Sequence, residues 1–389
     1  MFRKIAFLAL FMAGCFPAFS RGGGSHLRIS LLTCGPGDEA VWEVFGHTGL
    51  RVVDSQEHTD MVYNYGTFDF GPDFEIQFMR GKLLYSLTVM PFQGFMQEYL
   101  DAKRKVEEQV LLLDTMQKER LYYFLEWNAE PENKYYKYDF FFDNCATRIR
   151  DIFPRPEIFG KTFRYGETMP AGQRISFRDI INRYFYRDHW TRVGVNILLG
   201  SRIDKPMTSK DIMFLPDYLR DGIGGGSVKG QPIASPSAVL LPQGPQSGSG
   251  PNWPFMVGLL VLALTIAGFT LPGLRILGSI MSTLLLSVTG ILGMLILVMW
   301  FWTDHQGCAN NYNLLWCLPT NIIIAFFRPK GRGRYAILAI LMLLTTLVLH
   351  LLRVQCLTLL ELSPILLSLL LVYGSVFRRS NLKPVVKNA

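Results

Sequence analysis

Apolar and polar positions follow two regimes along this chain. From residue 26 to about 222 the apolar residues come in short segments of mixed period. His26–Thr33 and Gly46–Asp54 alternate or run apolar like strands, as do Met61–Tyr65, Leu84–Met90 and Val106–Leu113. Asp38–Phe45, Phe92–Lys103 and Thr115–Asn128 carry helical spacing between them. Asp143–Phe153 reads as a short helix, capped by Asp143 or Asn144 and ended by Pro154, and Ser176–Trp190 reads as a further amphipathic helix. These segments predict a mixed α+β domain of about 200 residues, enough to bury a core without disulfides. From Phe255 onward the polar alternation disappears. Phe255–Leu271, Ile276–Trp302, Asn313–Phe327, Tyr335–Leu352 and Leu357–Phe377 predict five membrane spans, the third short enough to be re-entrant. Residues 223–254, with GIGGGS beginning just before them and QGPQSGSGP within them, have too little apolar surface to fold alone and predict a flexible linker.

Charge sharpens this division. The 389 residues carry a net charge of +8, yet residues 1–254 balance 29 Lys/Arg against 29 Asp/Glu. Residues 255–389 hold ten basic and two acidic residues, so the whole excess sits in the most hydrophobic third. That distribution excludes a nucleic-acid groove and a soluble single-domain enzyme. With the first domain outside, Arg275, the Arg328–Arg334 cluster and the tail at 378–389 all fall inside, and only Arg353 breaks the rule. Residues 1–20 read as an export signal: Arg3 and Lys4, the apolar run Ile5–Ala13, then Ala18-Phe19-Ser20 at a cleavage site. Met12-Ala13-Gly14-Cys15 is an alternative, lipobox-like site. The expected organisation is a signal at 1–20, a periplasmic domain at 26–222, a linker at 223–254, a transmembrane bundle at 255–377 and a cytoplasmic tail at 378–389, all in the inner membrane.

Candidate chemistry centres on Asp143-Asn144-Cys145-Ala146-Thr147-Arg148. A thiol in the first turn of a helix meets unpaired backbone N–H groups that favour thiolate and can receive an oxyanion. The alternative is a small core residue on an amphipathic helix. A nucleophilic thiol needs a base. His26 lies at the frayed start, His58 in a polar turn and His189 near the end of a helix, whereas His47 opens an apolar strand between two glycines. Asn64 is the first candidate to orient it and Asp60 the second. Cys34, before a Gly-Pro-Gly turn, is the rival thiol and reads as structural. Cys308 and Cys317, at the outer end of the bundle, are candidates for a disulfide. Arg148 and Arg150 are candidates for a phosphate head group, against the plainer reading of a solvated helix face. Asp304 and His305 lie in an outer loop between interfacial tryptophans, as a functional pair or as solvated polar residues. No HExxH motif, CxxC pair or acidic calcium loop points to a metal, and no cofactor is expected.

The motifs FGHTGLRV, YNYGTF and YDFFFDNCATRIRD, continued by LLGSRIDKP, DIMFLPDYL and TDHQGCANNYNLLW, resemble the Bacteroidota-type lipoprotein N-acyltransferase family. Members look like circularly permuted NlpC/P60-type papain-like thiol enzymes, with His before Cys as in LRAT-like acyltransferases. The resemblance implies Cys145 as nucleophile and His47 as base; Asn64 is the expected third residue, and Asn144, Arg148, Trp42 and His305 are the candidate substrate contacts. LRAT-like enzymes carry a second His soon after the first; His58 alone is near that spacing, and it falls in a turn. The implied partners are a phospholipid acyl donor, a diacylated lipoprotein acceptor and membrane lipid, with no nucleic acid. The alternatives are a membrane-tethered cell-wall peptidase or amidase using the same site, and a non-catalytic scaffold.

Overall fold

The computed structural model describes residues 25–381 except Glu39, Asp69, Phe70, Pro72, Pro170, Ala171, Ser247 and Arg328. The export signal, Cys15 and the end of the basic tail lie outside the described residues. Strands β1 (Leu27–Cys34), β2 (His47–Asp54) and β3 (Thr59–Thr67) are followed by the short helix α1 (Phe74–Arg80) and β4 (Leu84–Pro91). Next come α2 (Phe92–Asp101), β5 (Val106–Val110), α3 (Thr115–Ala129), β6 (Tyr135–Lys137) and α4 (Cys145–Arg150). These strands form one antiparallel sheet in the order β5-β1-β2-β3-β4-β6. Period-2 alternation gives it two buried faces. Leu27, Ile29 and Leu31 of β1, with Leu50 and Val52 of β2, pack against Leu121 and Leu125 of α3 and Ala146 and Ile149 of α4. Leu32, Cys34 and Val62 meet Phe95 and Tyr99 of α2 on the other.

After α5 (Pro156–Phe159) and β7 (Phe163–Arg164), the segment expected as one helix at Ser176–Trp190 is two: α6 (Phe177–Tyr184) and α7 (His189–Leu198). Asp188 accepts a hydrogen bond from Thr191 N–H at 3.1 Å and restarts the helix as an N-cap, which a helix-interior Asp would not do. The helix expected at Asp38–Phe45 is reduced to a 3₁₀ turn at Glu43–Phe45. Gly37 N–H bonds to Glu43 C=O and Gly46 turns out at φ 75°, closing the segment into a tight loop.

The expected linker is largely paired to the domain. Helix α8 (Pro216–Gly224) leads into β8 (Ser227–Val228), β9 (Gln231–Pro232) and β10 (Ala238–Leu241). β10 adds to the edge at β5, and Leu112 N–H bonds to Ile233 C=O. An open sheet edge supplies backbone partners whatever the side chains, which composition cannot reveal.

The C-terminal part is helical: α9 (Trp253–Thr270), α10 (Arg275–Phe301), α11 (Asn321–Phe327), α12 (Arg332–Leu351) and α13 (Leu359–Asn381). Among the described residues four helices are long and apolar enough to cross a membrane, not five. The third expected span, Asn313–Phe327, yields only the seven-residue α11. Pro319 interrupts it, and its buried polar groups are satisfied sideways: Asn321 donates to Thr289 Oγ1 at 2.9 Å and accepts from the Tyr335 and Tyr373 hydroxyls. The domain sits on the outer loop after α10. Gly200 N–H bonds to Gly307 C=O at 2.9 Å and Asn311 Nδ2 to Ile197 C=O at 2.8 Å. A Cβ on Gly200 would lie 2.0 Å from Ala309 C=O, so only glycine permits this approach.

Candidate active site

The site is built where the start of β2, the middle of β3 and the start of α4 converge. His47 opens β2, and its Nε2 lies 2.6 Å from Asn64 Oδ1 on β3. A carbonyl oxygen only accepts, so with Oδ1 toward the ring Nε2 carries a proton and Nδ1 is left for Cys145. Asn64 is buried, which fixes the imidazole plane. Asp60, the other candidate orienter, is committed to Arg51 through two hydrogen bonds.

Cys145 is the first residue of α4. The cap is Asn144: its Oδ1 accepts from Thr147 N–H at 2.9 Å, while Nδ2 donates to Phe140 C=O and Phe214 C=O, each at 2.9 Å. Both amide donors and the oxygen are engaged, so Asn144, expected as a substrate contact and present in the lining of the thiol cavity, also locks the helix start. The backbone N–H groups of Thr48 and Ala146 and the His47 imidazole act on the Cys145 sulfur in favour of its ionised form. Burial opposes its ionisation, but the imidazolium and these donors outweigh it and hold the thiol below its usual range. Burial likewise opposes protonation of His47; the Cys145 thiolate and the Asn64 bond reverse this and raise it. The arrangement favours a thiolate–imidazolium pair. Gly66 lies beside the pair at φ 93°, a backbone conformation that favours glycine; a Cβ there would make ordinary contact with Cys145 Cβ at 3.5 Å and His47 Cε1 at 3.6 Å.

His47, Asn64 and Cys145 line one cavity of about 210 Å³, walled by aromatic rings including Phe45, Phe68, Tyr85 and Phe140. Trp42 stands on this wall, over half exposed and edge-on to Phe68. A larger cavity of about 630 Å³ contains neither Cys145 nor His47; Asp143, Arg148 and Asp304 line it. Arg148 is not in the thiol cavity. It forks onto Asp143, with Nη2 to Oδ2 at 2.7 Å, and lies 4.0 Å over the Tyr136 ring. Arg150 forks onto Asp151. His305 is also elsewhere: its Nε2 bonds to Phe78 C=O of α1 at 3.0 Å, while Asp304 pairs with Lys137 at 2.6 Å. That loop is a docking seam. His58 occupies a turn at φ 55°, and His189 begins α7 rather than ending a helix. Cys308 and Cys317 are free: the first packs by Phe141, the second against Gly293 of α10. Among the described residues no group of three or more His, Cys, Asp or Glu is arranged to hold a metal ion.

Sequence reasoning missed Arg104. It lines the thiol cavity, 7% exposed, donating from Nε to Gly35 C=O at 3.0 Å and pairing through Nη1 with Glu43 at 3.3 Å. In sequence it is the centre of Lys-Arg-Lys after α2, which looks like a solvated helix end.

Two family models match the chain: the Lnb N-terminal periplasmic domain over residues 23–169 and the Lnb transmembrane domain over residues 247–382. No curated protein and no solved structure matches it.

Proposed function

The chain belongs to the Lnb family, the lipoprotein N-acyltransferases of Bacteroidota, as a multi-pass membrane protein with a periplasmic domain, and from that premise we propose that it moves a fatty acyl chain from a membrane phospholipid to the α-amino group of a diacylglyceryl-cysteine lipoprotein. The observation that carries this reading is the convergence of Cys145, His47 and Asn64 in one aromatic-walled cavity. His47 holds the proton of Cys145. The thiolate attacks an ester carbonyl of the donor, forming the S–C bond. The C–O bond to glycerol breaks, and His47 protonates the departing oxygen of the lysophospholipid. The neutral α-amino group then attacks the thioester, forming the amide N–C bond. The S–C bond breaks, His47 accepts the amine's proton, and the thiolate–imidazolium pair returns. The N–H groups of Thr48 and Ala146 are the donors available to the oxyanion in both halves.

A helix-borne thiol packed on an antiparallel sheet that carries the base, with His before Cys in the chain, supports a permuted NlpC/P60-like fold. The aromatic walls favour an acyl chain over a wall peptide, which would suit an open polar groove. The seam with the bundle supports a site working at the outer leaflet of the inner membrane. The segment from Tyr312, bonded to Gln355 beyond the end of α12, to Asn321, bonded to Tyr335 near its start, runs antiparallel to α12 and supports a fifth, mostly non-helical crossing. Reporter fusions after Gly331 and after Ala389 should both report cytoplasm; a periplasmic signal at either one overturns this topology. Mass spectra of lipoprotein N-termini from cells with and without the gene test the function. Loss of the N-acyl chain is expected on deletion, and unchanged N-termini would refute the assignment.

A further inference from the structure

Arg104 carries an unused donor. The residue is held at the turn after α2, where its backbone N–H bonds to Tyr99 C=O and its guanidinium lies 4.9 Å over the Tyr99 ring. Nε and Nη1 are engaged by Gly35 and Glu43, but Nη2 is buried with no hydrogen-bond partner among the described residues. A guanidinium N–H left unmatched in a buried site costs more than an exposed one, so such a group on a residue that lines the thiol cavity calls for an acceptor. The free oxygen of Glu43 does not fill it: Oε2 lies against Gly37, where a Cβ would come within 2.5 Å. The charge of Arg104 is felt at His47, whose basicity it reduces, so anchor and base share one small space.

We propose that Arg104 anchors the phosphodiester of the acyl donor while Cys145 meets its ester carbonyl, which makes Arg104 the residue that selects phosphate-bearing lipids. This rests on the acyl-transfer reading above. A guanidinium matches phosphate oxygens in charge and in planar geometry. In a glycerophospholipid the phosphate and the ester carbonyls are separated only by the glycerol carbons, which fits an anchor and a nucleophile in one cavity. The acceptor lipopeptide carries no phosphate at its diacylglyceryl-cysteine, so the anchor acts in the first half of the cycle.

The test uses the full-length protein in detergent micelles and follows acylation of Cys145 by intact mass. The donors are phosphatidylglycerol, a diacylglycerol with the same chains, and p-nitrophenyl butyrate. Wild-type protein should be acylated by phosphatidylglycerol faster than by diacylglycerol. Arg104→Gln should shrink that preference roughly 10- to 100-fold, the range expected for one charged hydrogen bond, and Arg104→Lys should restore part of it. Equal rates with the two lipids in wild type would overturn the proposal without any variant. A preference unchanged in Arg104→Gln, or an equal fall with all three donors, would overturn it too, the latter marking a structural role. Micromolar binding of inorganic phosphate with no discrimination between the lipids would assign the anchor to the free anion instead. Failure of p-nitrophenyl butyrate to label wild-type Cys145 would refute the thiol reading itself, which separates the two failures.

Discussion

Two thiols lie near His47, and only one is set up for chemistry. Cys34 ends β1 directly opposite His47 in the β1–β2 ladder. Its surroundings are Phe95, Val106 and the Tyr99 hydroxyl, and burial pushes it up to about 12 although Tyr99 and Arg104 pull the other way. Cys145 reaches the same imidazole from α4, and the outcome is reversed because His47 and the N–H groups of Thr48 and Ala146 converge on its sulfur. Proximity to a histidine is therefore not enough. A buried thiol ionises only where donors replace the water that burial removed.

The sharpest way to break this contrast is to remove the favoured thiol. Cys145→Ala should lower acyl transfer by about 10⁴-fold or more, with the thermal unfolding transition little changed, because the residue is only partly buried at a helix start. Cys145→Ser should be nearly as low, since a hydroxyl does not ionise in reach of His47. Retained activity in either variant, measured on a diacylated lipopeptide, would move the reaction away from this site.

His47→Gln should cost nearly as much, because members of one catalytic unit do not act additively. Its signature is in pH. The thiolate accumulates as pH rises through the lowered Cys145 value, and the imidazolium disappears as pH rises through the raised His47 value, so activity should be bell-shaped between them. Without the imidazole, burial still disfavours the thiolate. The pH limb for iodoacetamide labelling of Cys145 should therefore move upward, and an unmoved limb would show that His47 does not activate the thiol.

Asn64→Ala should cost about 10- to 100-fold, the range for one hydrogen bond to a charged group. It should also move the descending limb to lower pH, since the Asn64 bond is one of the contacts that raise His47. Cys34→Ala should be the mildest change. It removes one small buried atom, costs about 1 kcal/mol of stability, and should leave transfer within about threefold. A loss comparable to Cys145→Ala would erase the distinction between the thiols.

These elements were unequally legible. The first five strands and the two long domain helices follow from local period, as in β1, where Leu27, Ile29 and Leu31 share a face. Cys145 stood out because an Asp-Asn pair precedes a helical run, and His47 because two glycines bracket a strand start. What stayed hidden depends on distant partners. Nothing local marks Arg104 as buried, or shows that the Asn144 amide is used up by Phe140 and Phe214. The stretch before α9 is more paired, and the segment before α12 less helical, than local pattern suggests, because backbone pairing and sideways Asn bonds leave no trace in hydropathy.

Intact-mass analysis of purified protein incubated with phospholipid alone tests the central claim most directly. The expected product is a single acyl chain on Cys145, released by hydroxylamine, which moves into a stable amide when a diacylated lipopeptide with a free α-amino group is added. An acyl chain found on Cys34, or cleavage of cell-wall peptides while the lipopeptide stays unmodified, would contradict it.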